Sequence, residues 1–269
     1  MTERILITGA AGRIGGWLRP LLARPGRTLR LLDIAPIPER NDDAEIIVDS
    51  FLDPAVMDKA CAGVDAVLHL GGLPGEGPWE QLAMANVEGT RQVLEAVVRQ
   101  GVPRAVLASS IHAAGFWTRD DIGPDGFLPA DVPTRPDTLY GVSKAAVEAL
   151  GSLYHSRYGI DVSCLRIGAF RPEPAAPTDL SVWISCEDGA RLVEACLAVE
   201  PAGYRVLWGV SANTRRWFSL AEGAAIGYRP EDDAELFAAD IPYADTDVSH
   251  PALFRVGGNF CSIRLGEER

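Results

Sequence analysis

The chain is short of cysteine, long apolar runs and basic charge. Only five of its 269 residues are cysteines, at 61, 164, 186, 196 and 261, and no two have C-x-x-C spacing. That excludes the usual zinc-ribbon and dithiol-redox patterns. Most of these cysteines lie in apolar surroundings and read as buried free thiols in a reducing compartment. No apolar stretch approaches the ~20 residues that span a bilayer. The opening Met1-Thr-Glu-Arg-Ile5 leads straight into a strand and shows no signal-peptide pattern. A cytoplasmic location with no membrane partner is therefore expected. Lys and Arg number 25 against 37 Asp and Glu, a formal charge of −12. Such a surface repels phosphate backbones, so no nucleic-acid partner is expected. Internal repeats and low-complexity tracts are also missing.

What is present is an ordinary globular composition, 47% hydrophobic and 23% charged. The length suits one α/β domain. Strand-like runs at Arg4–Thr8, Leu29–Leu32, Glu45–Val48, Val64–Leu70, Arg104–Ala108 and Val162–Ile167 are separated by helical patterns. The helices are expected at Ile14–Ala23, Pro54–Ala62, Trp79–Gln100 and Tyr140–Tyr158. Strands alternating with helices of this length imply right-handed parallel crossovers and a doubly wound, Rossmann-type sheet, with ligands along the strand carboxyl ends. Residues 1–168 read as a dinucleotide-binding core. Residues 169–269, less regular and rich in aromatics, read as a small substrate-capping part of the same domain. Two loops rich in proline, 115–137 and 171–179, are expected over the carboxyl edge.

The chemistry sits at that edge. Gly9, Gly12 and Gly15 lie between the first strand and helix, where glycine permits tight turns and close backbone approach. The free N–H groups of the helix start, Arg13 and Ile14 with Gly15, then face a pyrophosphate. Asp33, 18 residues beyond Gly15, ends the second strand. There it is expected to accept hydrogen bonds from ribose hydroxyls and to repel a 2′-phosphate, which favours NAD over NADP. Ser50 and Phe51, after Asp49, are expected beside the adenine. Leu70, Gly71 and Gly72 end the fourth strand and would pass close to the cofactor. Ala108 and Ile167 would do so from the fifth and sixth strands. His69 reads as a hydrogen-bonded core residue. Asn86, in mid-helix, is expected to bind backbone near the site and is counted among the cofactor-side residues.

Tyr140 and Lys144 stand one helical turn apart and share a face. A neighbouring ammonium is expected to lower the phenol pKa, so that Tyr140 acts as base toward an alcohol or as acid in reverse. Lys144 can also bind the nicotinamide ribose. Ser110 would hold the reacting oxygen.

These motifs resemble the extended short-chain dehydrogenase/reductase superfamily. With His69-Leu-Gly-Gly72, Ala108-Ser-Ser-Ile-His112, Arg166-Ile-Gly168, Pro172-Glu-Pro174 and Trp208-Gly-Val-Ser-Ala-Asn213, the resemblance narrows to uronate dehydrogenases, nearly end to end. It implies NAD-dependent oxidation of a sugar-acid C1 hydroxyl to a lactone, with Ser110, Tyr140 and Lys144 catalytic and His112 touching substrate. Pro74, Ile111, Ala169 and Thr178 stand where that family places polar contacts or an arginine. Arg171, or Arg215 and Arg216, would then supply the anion contact, unless the substrate is a less polar alcohol. A sugar epimerase or dehydratase with tightly held NAD, and a non-catalytic NAD sensor, remain alternatives. A homo-oligomer is expected from the small residues Ala145, Ala146, Ala149 and Gly151, although these also suit packing on the sheet.

Overall fold

A computed structural model describes residues 3–40 and 42–267. Seven parallel strands form one sheet in the order β3-β2-β1-β4-β5-β6-β9. They are β1 (Glu3–Thr8), β2 (Arg27–Asp33), β3 (Glu45–Val48), β4 (Ala66–His69), β5 (Arg104–Ser110), β6 (Asp161–Ile167) and the edge strand β9 (Tyr204–Gly209). The remaining two, β7 (Ala169–Phe170) and β8 (Trp183–Ile184), pair only with each other. Residue alternation along β1 explains the layering. Ile5 and Ile7 join the cluster under α1 (Arg13–Leu22), whereas Leu6 joins the opposite cluster under α2 (Pro54–Cys61). Strand order reverses between β1 and β4, the switch point at whose carboxyl ends open α/β sheets bind their ligands.

The long helix expected after residue 79 is not uniform. It runs as α3 (Trp79–Leu82), a π-helical stretch (Ala83–Glu88) and α4 (Gly89–Arg99). The extra residue per turn turns Asn86 inward, and Thr90 Oγ1 donates to the Asn86 carbonyl at 2.6 Å. Next comes α5 (Leu139–Tyr158). Thr138 caps its start by accepting from the Gly141 N–H at 3.0 Å, and Gly159, at φ 74°, ends it in the left-handed conformation. Gly151 lies against Val162, Cys164 and Leu107, so this small residue serves the sheet; Ala149 is exposed.

The C-terminal third is more regular than its sequence suggests. After α6 (Asp179–Val182), α7 (Cys186–Ala198) packs on α1, and β9 extends the sheet beyond β6. Residues 186–209 thus belong to the sheet layers. The helix was masked by Gly189, whose missing side chain makes room for the Phe170 ring. The strand was masked by Arg205, which is neutralised by Asp161 of β6. The rest of this region forms its own apolar cluster over the carboxyl edge, with Ile111, Leu128, Trp208, Trp217, Phe218 and Val256.

Candidate active site

Gly9 has φ 70°, and a Cβ there would lie 2.6 Å from the Gly71 N atom. Both conditions demand glycine, and they bring the β1 and β4 ends together at the switch point. Gly12 precedes α1 with no side-chain cap and no acidic residue in the first turn. The first N–H groups, those of Arg13 and Ile14, are therefore left to an anion. Asp33 Oδ2 accepts from the Ala11 N–H at 2.9 Å and Oδ1 from the Ala35 N–H at 3.0 Å. One carboxylate thus anchors the glycine turn while standing at the β2 end. This arrangement fits a dinucleotide: Arg13, Ile14 and Gly15 to the pyrophosphate, Asp33 to a ribose.

The residues after β3 and β4 are held by contacts within the protein. The Phe51 ring packs against Gly71 and Gly89 and meets His69 edge-on at 5.5 Å. Its side chain is spent on packing beneath the Leu70–Gly72 turn, and only its backbone remains for an adenine. Ser50 Oγ accepts from the Leu52 N–H at 3.1 Å. The Asn86 carbonyl oxygen accepts from the Leu73 N–H at 2.7 Å; its amide donates to the Leu73 carbonyl at 3.1 Å and to Ser143 Oγ at 2.9 Å. This buried side chain ties the loop after β4 to α5 and has no hydrogen left for a cofactor. His69 lies 2.6 Å from Thr8 Oγ1 and 3.1 Å from Thr90 Oγ1. Because Thr90 donates to Asn86, His69 Nε2 must be the donor to Thr90, and Nδ1 accepts from Thr8. Burial, aided by the charge of Lys144, pushes His69 down to about 3, so it stays neutral.

At the β5 end the strand alternation separates two serines. Ser109 faces Glu148, to which it donates at 2.6 Å, while the buried Ser110 hydroxyl lies beside the Tyr140 phenol. Ser110 Oγ also accepts from the His112 N–H at 3.2 Å. Tyr140 and Lys144 are both buried. Lys144 Nζ donates to the Ala108 carbonyl at 2.8 Å and stands 5.7 Å from the phenol ring centre. Here the expectation of an acidified phenol is corrected. Burial pushes Tyr140 up to about 12; the neighbouring Ser110 hydroxyl opposes this and the Asp137 charge adds to it. Burial likewise lowers Lys144 to about 8. Desolvation is the leading cause for both groups.

The other substrate-side residues scatter. Ile111 is buried in the apolar cluster of the cap, so it is a packing residue here. Pro74 is exposed and Ala169 half-buried. Arg215 makes a two-point pair with Glu235, at 2.6 and 2.8 Å, and donates to the Ala244 carbonyl at 2.5 Å. Arg216 lies over the Phe127 ring at 5.1 Å. Arg171, immediately after β7, has only a loose 3.5 Å approach to Asp179, and its side chain is 43% exposed.

Three residues escaped the sequence reading. Glu76 is buried and accepts from the Tyr140 N–H at 2.9 Å and from the Gly266 N–H at 2.7 Å, tying the chain's end to the start of α5. Asp137 accepts from His112 Nδ1 at 2.7 Å. Phe260 stacks on the His112 ring at 4.1 Å. Contacts that join residues so far apart in the chain leave no local pattern.

Comparison with known proteins agrees with this geometry. The family described as the NAD dependent epimerase/dehydratase family matches residues 5–174. A uronate dehydrogenase of Pseudomonas syringae pv. tomato is 38% identical over 263 residues, 96% of this chain and 93% of that protein. An NAD-dependent glucose-6-phosphate dehydrogenase of Haloferax volcanii is 35% identical, over 88% of this chain and 96% of its own. The crystal structure of uronate dehydrogenase from Agrobacterium tumefaciens superposes with a TM-score of 0.89 at 35% identity, covering 99% of each chain. With the switch point, the glycine turn and the family match in agreement, the chain belongs to the NAD dependent epimerase/dehydratase family and is an NAD-dependent oxidoreductase within it.

Proposed function

We propose that the protein oxidises the C1 hemiacetal hydroxyl of a uronate to the lactone. The observation that carries this reading is the buried Tyr140 phenol beside the buried Ser110 hydroxyl, one helical turn from Lys144. Ser110 orients the substrate oxygen and Tyr140 takes its proton. Lys144 holds a positive charge under the phenol while anchored on the Ala108 carbonyl. NAD, when bound, supplies the hydride acceptor. Of the three arginines considered, Arg171 has a side chain 43% exposed that makes no hydrogen bond among the described residues, only the loose approach to Asp179, and it is the proposed partner of the sugar carboxylate. Both relatives named above act, by their names, on a sugar bearing an anionic group.

The test is NADH release over a panel of uronates, sugar phosphates and neutral aldoses. The expected result is NADH accumulation with the highest kcat/KM on a uronate. Substrate consumption without free NADH would instead indicate an epimerase or dehydratase. A preference for a neutral aldose would remove Arg171 from the mechanism.

Cofactor choice gives a second expectation. Asp33→Ser removes the charge that repels a 2′-phosphate and also the anchor of the Ala11 N–H. A charge-assisted hydrogen bond contributes about 1.5–3 kcal/mol, so NAD affinity should fall roughly 10- to 100-fold while the preference shifts toward NADP. Fluorescence titration with both dinucleotides reads this. Unchanged selectivity would show that Asp33 is not the discriminator.

The exposed apolar side chains Met84, Val142 and Leu153 suit contact with a second copy, in line with the expected homo-oligomer. Sedimentation reads the state directly. Among the described residues no helix is long and apolar enough to cross a membrane. The cytoplasm is the proposed compartment, since all five cysteines are free and four are buried.

A further inference from the structure

His112 is held on two sides by parts of the chain remote from it. Its Nδ1 lies 2.7 Å from Asp137 Oδ2. A carboxylate oxygen only accepts, so Nδ1 carries the hydrogen. Asp137 Oδ1 accepts from Thr138 Oγ1 at 2.9 Å, and its carboxylate is buried in a slot walled by Gly115 and Gly257. A Cβ at either glycine would collide with the carboxylate. The face of the imidazole is covered by Phe260, 4.1 Å away and tilted by 28°. The ring meets Tyr140 at 5.8 Å. Among the described residues, no protein group hydrogen-bonds Nε2.

We propose that Asp137 is a positioning residue: it fixes His112 with the hydrogen on Nδ1, so that bare Nε2 accepts a hydrogen bond from a sugar hydroxyl beside Tyr140. The proposal rests on the sugar-oxidising reading above. No proton leaves the substrate by this route; Tyr140 remains the base. The arrangement accounts for the two glycines, which are 142 positions apart yet shape one slot. It also gives Phe260 a purpose, because a stacked ring cannot flip and exchange its nitrogens.

The decisive measurement is the 15N spectrum of the histidine rings in the NAD-loaded enzyme. The chain has four histidines, and H112Q assigns the relevant one. The expected result is a hydrogen on Nδ1, none on Nε2, and a shift of Nε2 when the sugar is added. D137N should raise the sugar KM about tenfold with NAD affinity little changed, while kcat follows only the easier ionisation of Tyr140 once the Asp137 charge is gone. The D137N/H112Q double variant should be no worse than H112Q. A hydrogen on Nε2, a doubly protonated ring, or additive losses in the double variant would overturn the proposal. So would a D137N enzyme that loses NAD affinity as much as sugar affinity. If D137N does not fold, the wild-type spectrum still decides. Should no sugar be oxidised and none move Nε2, the functional reading fails together with this one. A sugar that is oxidised while Nε2 carries hydrogen sinks this one alone.

Discussion

Tyr140→Phe is expected to lower kcat by about a thousandfold while leaving NAD affinity within about twofold, because general acid–base catalysis contributes 10²- to 10⁴-fold. The variant removes one oxygen from a buried ring and leaves Lys144 on the Ala108 carbonyl and the backbone cap from Glu76 in place. The pH profile should carry the same signature. A phenol pushed up to about 12 is protonated at neutral pH, so oxidation should speed up as the pH rises. Lys144, lowered to about 8, is charged below that value and loses its proton above it. The rise should therefore flatten above pH of about 8, and the flattening should disappear in Lys144→Met. Stopped-flow NADH formation with Tyr140→Phe gives the check. Retained turnover would take the tyrosine out of the chemistry.

The sequence revealed what is local. A glycine turn, a strand-end aspartate and a tyrosine one helical turn from a lysine each occupy a few residues, and each answers to one physical demand. The sheet could be read from alternating strands and helices until Gly189 and Arg205 disguised α7 and β9. What could not be read was how burial decides electrostatics. The lysine beside the tyrosine suggests an acid phenol, but both groups lose water in the fold, and that loss is the leading cause of each shift. Asn86 does bind backbone near the site, as its mid-helix place implies, but the sequence shows neither the π-helical stretch that carries it nor that Phe51 fills the space left by two glycines. Asp137 and Phe260 depend on the chain's closing segment returning over the site, which no short pattern encodes.

The buried pair behind the site should matter most for stability. Glu148 and Arg166, with side chains 5% and 2% exposed, meet through two hydrogen bonds of 2.9 Å. Arg166 Nη1 also donates to the Ala130 and Val132 carbonyls at 3.0 Å, pinning the loop that leads to Asp137 and Tyr140. Glu148→Ala leaves a guanidinium buried without its counter-charge and Ser109 without its acceptor. Removing one partner of such a pair costs about 3–5 kcal/mol. At roughly 2–4 °C per kcal/mol for a chain of this size, the unfolding midpoint should drop by about 10 °C. Replacing both partners with apolar residues of similar volume should cost less than the single change, because no charge is then stranded. That comparison separates the worth of the pair from the penalty of breaking it. If the single variant melts like wild type, Arg166 holds the loop through its backbone contacts alone. Glu148 would then have no share in shaping the approach to Tyr140.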